Sequence, residues 1–369
     1  MNASLIRRRA VLAGTFGAFA VGAAACGSSE AGSSTTSSTT STSAATTAAT
    51  ESPDLATLTS EVSDKFEQSS YTDPDTGLTV PYNLFVPEGY DESKTYPIIL
   101  YIADSSLVGQ DVTAPLSQYG ALIWASDVEQ AKHESLVLVP EYPEVILDDH
   151  GSFTMTDYVT LTPRLLQSVI SQYSVDPARV YGTGQSMGCM TVMYLAAQDP
   201  DLFAAELFVS GQWDVTTLSG LTQEKFFFIA AGGDENATGG QTDVQGLLTS
   251  AGVPFQTATW DATWSASEFT EAAAELFAAG DDVNFATFET GTVLEVADST
   301  STSTAGSMTA TATTAAMTAP SGGMTPPSGG MTPPSDGSAG GASSSEHMAS
   351  FEPAYKIASL RDWLYEQTA

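Results

Sequence analysis

Residues 179–198 read RVYGTGQSMGCMTVMYLAAQ, and the fold turns on the pentapeptide Gly184-Gln185-Ser186-Met187-Gly188 inside them. An apolar strand at 179–181 runs into it, and a helix-forming stretch, Met187–Gln198, leaves it. A strand that turns straight into a helix forces the residue at the turn into a strained backbone, which only small neighbours such as Gly184 and Gly188 can accommodate. The same turn holds the serine hydroxyl at a helix N-terminus, where peptide dipoles favour developing negative charge. In a chain this rich in Gly and Ser the five-residue pattern alone is weak, so the flanking strand and helix carry the reading. Ser186 is the candidate nucleophile.

A serine hydroxyl attacks poorly without a base. The sequence holds three histidines, His133, His150 and His347. Around such an elbow the chain order is serine, acid, histidine, and only His347 follows Ser186. It is expected on a loop between the last strand and a C-terminal helix, with His133 and His150 as surface or loop residues. The orienting carboxylate belongs just past a late strand. Asp234 fits best, after the apolar run Phe226–Ala231 and the turn Gly232-Gly233; Asp214, Asp261 and Asp282 also lie near strand ends. Backbone donors for an oxyanion are expected from Met187 and from the Asp104-Ser105 loop after the run at 97–103. A carboxylate at Asp104 would oppose an oxyanion unless it points away. Gln185 and Trp213 are candidate pocket residues, Trp213 reading equally well as an aromatic covering the core edge.

Outward from the elbow, strand and helix signals alternate. Leu78, Val80, Tyr82, Leu84 and Val86 alternate as in a half-buried strand, and continuous apolar runs lie at 97–103 and 136–139. A helix is expected at 156–173, strands at 207–210, 226–231, 257–260 and 283–288, and helices at 243–250, 267–279 and 355–364. This order implies an α/β fold: a mostly parallel central sheet with helices on both faces and antiparallel strands at its N-terminal edge.

These residues resemble a family of secreted α/β-hydrolases, the predicted esterases and peptidases related to polyhydroxybutyrate-depolymerase-like and feruloyl-esterase-like enzymes. The resemblance runs from Leu78 to the C-terminus, omitting 298–345. It rests on Pro81-Tyr82-Asn83-Leu84-Phe85-Val86-Pro87-Glu88-Gly89-Tyr90, on Tyr96-Pro97-Ile98-Ile99-Leu100, and on Gln130-Ala131-Lys132-His133. Val175-Asp176-Pro177-Ala178-Arg179-Val180-Tyr181 leading into the serine motif, and His347 before a helix ending in Asp362-Trp363-Leu364, complete it. The resemblance implies Ser186, Asp234 and His347 as a triad, with Met187 as an oxyanion donor, acting on carboxylic esters or, as the near alternative, peptides. Three departures stand out: Ala103-Asp104 replaces a His-Gly pair, Cys189 replaces a second glycine, and a long insert precedes the histidine. The altered 103–104 loop is what a non-catalytic binding protein on the same scaffold would display.

Composition bounds the partners. The 369 residues carry 11 Lys+Arg against 44 Asp+Glu, a net charge of −33. Such a surface repels nucleic acid and anionic headgroups. Residues 1–25 follow signal-peptide order, with Arg7, Arg8 and Arg9 before an apolar stretch and Ala23-Ala24-Ala25-Cys26 resembling a lipobox. With that leader gone, the basic count falls from 11 to 8 and the net charge to −36. Cys26 is the expected lipidation site and Cys189 a buried free thiol. Residues 26–52, rich in Ser, Thr and Ala, are expected as a tether, and 298–345, with SGGMTPP repeated at 321–327 and 328–334, as a disordered insert. The folded domain then comprises 53–297 and 346–369. The expected protein is an extracytoplasmic monomer, either lipid-anchored at a bacterial cell membrane, with the anchor its only membrane contact, or secreted after cleavage of an ordinary signal. Its expected substrate is a small-molecule or polymer ester. No metal or cofactor is called for, since three scattered histidines make a poor metal site.

Overall fold

Residues 96–102, YPIILYI, are apolar on both sides of the pleat, and a strand of that kind is stable only when both its faces are covered. In the computed structural model, which describes residues 51–306 and 345–369, this segment forms β3 (Tyr96–Ile102), buried throughout. The other strands are β1 (Glu67–Thr72), β2 (Thr79–Phe85), β4 (Leu136–Pro140), β5 (Leu147–Asp148), β6 (Thr154–Met155), β7 (Val175–Gln185), β8 (Ala205–Val209), β9 (Phe226–Ala231), β10 (Gln256–Trp260) and β11 (Val283–Phe288). Nine form one sheet in the order β1-β2-β4-β3-β7-β8-β9-β11-β10. It is parallel from β4 to β10, and antiparallel where β2 meets β1 and β4. The antiparallel N-terminal edge is therefore present, and β5 and β6 pair separately as a small hairpin.

Period-two alternation divides the core. Ile99, Tyr101, Val137, Val139, Phe227 and Ile229 face one layer, with Tyr355, Leu360 and Leu364 of the C-terminal helices. Ile98, Leu100, Leu136, Leu138, Phe226 and Phe228 face the other, with Leu165, Val192 and Val244. The C-terminal segment docks as its apolar spacing requires: Trp363 stacks on Phe277 at 5.8 Å, and Tyr355 lies edge-on to Tyr101.

Several expectations need correction. The C-terminal helix is two, Phe351–Lys356 and Ala358–Glu366, broken at Ile357, whose backbone is extended (ψ 99°). The helix expected at 243–250 starts at Glu235 and runs to Ala251. Its poor helix formers Gly239 and Gly240 hid the first turns; at Gly240 a β-carbon would come within 2.8 Å of Gln212, so the helix packs too closely there for a side chain. The low-complexity insert begins as helix, since Thr292–Gly306 is continuous. Strand β1 escaped notice because EQSSYT is almost wholly exposed. The leader at 1–25, Cys26 and the tether to residue 50 lie outside the described residues, as do 307–344. Cys189 is buried and free.

One core feature has a pH signature. Glu206 on β8 is fully buried beside Glu224, and among the described residues neither Glu206 oxygen finds a hydrogen-bond partner. Burial, then mutual repulsion, pushes the Glu206 carboxyl well up, and burial raises Glu224 to about 8. Both are acids whose folded pKa exceeds the unfolded one, so their stabilising protonated state is complete below about 4.5 and lost as pH rises towards about 8. Glu206→Gln, which keeps the shape without the charge, is expected to raise the melting temperature at pH 8 by roughly 5 °C, about 2 kcal/mol, and to change it little at pH 5. Thermal melts across that range check this; a parallel offset at both pH values contradicts it.

Candidate active site

The chain leaves β3 to build β4 on one side and returns to β7 on the other. A crevice opens beyond the ends of those two strands, where loops diverge and ligands bind in parallel sheets. Ser186 sits there, immediately after β7, with φ 53° and ψ −119°, a backbone region that side-chain-bearing residues rarely occupy. The flanking glycines make this possible. A β-carbon on Gly188 would fall 1.9 Å from the Ile102 carbonyl oxygen, and one on Gly184 would fall 2.5 Å from the Gly188 carbonyl carbon. Ser186 stands at the N-cap of Met187–Gln198, yet its hydroxyl caps nothing. It is hydrogen-bonded instead to His347.

The His347 Nε2 lies 2.9 Å from Ser186 Oγ, and its Nδ1 lies 2.5 Å from Asp234 Oδ2. Asp234 is 2 % exposed and follows β9. Its second oxygen accepts the Ala237 N–H at 3.2 Å, so the carboxylate caps the helix Glu235–Ala251 while orienting the imidazole. His347 lies on a helical turn, 345–349, where a loop was expected. Two contacts that the sequence reading missed seat it. Ser210 Oγ–H donates to Ser350 Oγ, which donates to the His347 carbonyl, both at 2.7 Å, and the Phe351 ring stands edge-on to the imidazole at 5.0 Å. Ser210 also has positive φ, 48°, at the end of β8.

The remaining candidates separate. Asp214 and Asp261 cap local turns at Thr216 and Thr263, and Asp282 offers its carbonyl to Phe226 at the start of β9; none lines the cavity. His133 stacks on Tyr365 at 4.3 Å and bonds Asp362. His150 opens onto the same cavity as Ser186, its side chain 93 % exposed and held by Asp148 at 2.8 Å. The cavity, about 500 Å³, is lined by Ser105, Met190, Gln212, Glu235 and Met348 among others. Trp213 is buried against Phe153 and does not line it, and neither does Gln185.

Gln185 instead resolves the problem of Asp104. Asp104 is 2 % exposed, and its Oδ2 accepts the side-chain amides of Gln185, at 2.9 Å, and of Gln118. Its Oδ1 accepts the Ser106 N–H at 2.8 Å, capping the single helical turn Ser105–Leu107. Tyr101 Oη lies within 2.9 Å of both glutamine carbonyl oxygens. Asp104 lines the cavity wall, but both its carboxylate oxygens are taken up by these partners, which fix the loop. The N–H groups of Met187 and Ser105 each begin a helical turn and have no intrahelical acceptor, so both are available to an oxyanion. Asp104→Ala is expected to lower kcat about 100-fold with KM within threefold, the size of a lost oxyanion donor. Steady-state kinetics check this, and a rise in KM alone contradicts it.

The sequence profile of the prolyl oligopeptidase family matches residues 141–290, a span that holds the elbow and Asp234. The chain has the α/β-hydrolase fold. Comparison with curated proteins finds no significant match. Among solved structures, a thermostable esterase superposes on this chain with a TM-score of 0.57 at 19 % identity, over 83 % of this chain and 64 % of that one. The chain thus spans under two thirds of that esterase, and likeness at this identity speaks to the fold alone. A mutant feruloyl esterase module from Clostridium thermocellum complexed with sinapinate aligns with a TM-score of 0.45 at 13 % identity, over 66 % and 86 % of the two chains. Dipeptidyl peptidase 4 of Porphyromonas gingivalis aligns at 0.40 and 15 %, over 52 % and 31 %. Superpositions this loose carry no argument about chemistry.

Proposed function

We propose that this hydrolase cleaves carboxylic esters outside the cytoplasm through an acyl-enzyme. The observation that carries the reading is the continuous relay Asp234–His347–Ser186 opening on the cavity. Ser186 Oγ attacks the ester carbonyl while its proton passes to His347 Nε2. Asp234 accepts the Nδ1–H and stabilises the imidazolium, and the Met187 and Ser105 N–H groups receive the negative charge on the carbonyl oxygen. The intermediate collapses, the alcohol leaves with the proton from Nε2, and the acyl group stays on Ser186. Water then attacks with His347 as base, releasing the acid and regenerating the serine. No cofactor takes part in these steps.

The prolyl oligopeptidase match favours a second reading, in which the leaving group is an amine. Side-by-side rates on short-chain aryl esters and small peptides decide between them: kcat/KM is expected to favour the esters by at least about 100-fold, and faster peptide turnover replaces the ester reading. A polymer or a small molecule would present the same ester to the cavity. The order of residues 1–26 supports export and acylation of Cys26, with the enzyme acting as a monomer tethered at the cell membrane. Mass spectrometry of the purified N-terminus checks the anchor; an unmodified Cys26 removes it.

A further inference from the structure

His347 belongs to a segment that follows a long low-complexity tract in the sequence, and among the described residues the strand preceding it is β11, which ends at Phe288. Glu346 stands immediately before His347 in this segment. This side chain is 5 % exposed and points away from the cavity into the junction of two loops. Its Oε2 accepts the N–H of Gly233 at 2.9 Å, and its Oε1 accepts the N–H of Gly291 at 3.1 Å. Gly233 is the residue before Asp234, and Gly291 follows the end of β11 with φ 90°. One carboxylate thus ties the turn carrying the histidine both to the loop carrying the acid and to the exit of the last strand.

The fit at Gly233 is close. A β-carbon there would lie 2.2 to 2.5 Å from the three carboxylate atoms of Glu346, so the clamp exists only because residue 233 lacks a side chain. Hydrogen bonds from backbone N–H groups to an ionised carboxylate are about twice as strong as neutral ones. Here the two residues joined, 233 and 346, are each one peptide away from a partner in the 2.5 Å Asp234–His347 contact.

We propose that Glu346 is a positioning residue for the triad: its double clamp on Gly233 and Gly291 sets the distance and angle between His347 and Asp234. The inference rests on the reading of His347 as the general base. A misplacement on the order of 1 Å costs a catalytic group about 100-fold in rate, which sets the expected scale.

The test uses the full chain with Glu346→Gln, Glu346→Ala and Gly233→Ala, and Glu352→Gln as control, since Glu352 pairs with Lys356 away from the cavity. Glu346→Gln keeps one acceptor and is expected to slow fluorophosphonate labelling of Ser186 about 10-fold. Glu346→Ala and Gly233→Ala are expected to slow it about 100-fold, with kcat reduced to match and KM within twofold. The control is expected to label at the parental rate. Proton NMR supplies a readout that a merely structural role would not move: the low-field resonance of the His347 Nδ1–H bonded to Asp234 is expected to shift or broaden in Glu346→Gln while the melting transition survives. Parental labelling rates and an unchanged low-field proton in folded Glu346→Gln and Gly233→Ala overturn the proposal. If Glu346→Ala does not fold, Glu346→Gln decides. His347→Ala separates the two levels: labelling that survives it sinks the base assignment itself, whereas labelling lost in His347→Ala but intact in the Glu346 variants sinks only the clamp.

Discussion

Ser186→Ala is expected to lower kcat on a good ester substrate by about 10⁵- to 10⁶-fold, and His347→Ala to do nearly the same. The reason is that the two act as one unit. The hydroxyl 2.9 Å from Nε2 becomes a competent nucleophile only as the imidazole takes its proton. Removing either leaves the oxyanion donors and the cavity, which retain about 10³- to 10⁴-fold over water by themselves. The double variant should therefore be no slower than either single one. Asp234→Asn is expected to cost about 10⁴-fold, because an amide at this position favours the wrong imidazole tautomer. Steady-state kinetics at matched concentrations of folded protein measure all four. His133→Ala is expected to react as the parent does, its ring being committed to Tyr365 and Asp362. Additive losses in the double variant, or covalent labelling that persists in Ser186→Ala, would remove Ser186 from the chemistry.

How much of this was legible in the sequence depends on how far apart the interacting residues lie. The elbow was readable because its demands are local: Gly184 and Gly188 crowd each other and the end of β3, and no larger residue could stand there. Asp234 was readable from strand order alone, although its second task, capping the helix that follows, is a local device too. Gln185 was misread. Its neighbour Ser186 faces the site, but Gln185 still belongs to β7, and its side chain turns inward to Tyr101 and Asp104, more than eighty residues earlier. The Asp104 carboxylate looked like an obstacle for the same reason: beyond the local Ser106 N–H, its partner Gln185 arrives only when β3 and β7 lie side by side, and Gln118 only when the chain after β3 folds back. Glu346 was invisible because nothing marks a glutamate at the edge of a Ser/Gly-rich tract as buried. Its signal, two glycines at 233 and 291 whose N–H groups converge, exists only in three dimensions.

The second large effect concerns the helices that follow His347. Arg361 and Glu129 are each 1 % exposed, and Arg361 Nη2 lies 2.8 Å from Glu129 Oε1 and 3.0 Å from Ser52 Oγ, while Nη1 donates to the Tyr355 carbonyl. The Tyr355 carbonyl is one of those freed where the chain breaks at Ile357, so the guanidinium joins both C-terminal helices to the layer beneath. A buried pair of this kind gains little over an apolar replacement, but losing one partner strands the other charge. Arg361→Met is therefore expected to destabilise by about 3–5 kcal/mol, roughly 10 °C in melting temperature. The double variant Arg361→Met/Glu129→Leu should recover most of that loss, because Glu129 Oε2 and Arg361 Nε already lack partners among the described residues and the pair is incompletely satisfied as it stands. Calorimetry of the two variants checks the pair, and a double variant no more stable than Arg361→Met would mean that the guanidinium contributes through packing alone. Activity per folded molecule should be unchanged in both, since neither residue lines the cavity. The stability of the C-terminal helices and the placement of the histidine would then rest on separate carboxylates, Glu129 for the first and Glu346 for the second.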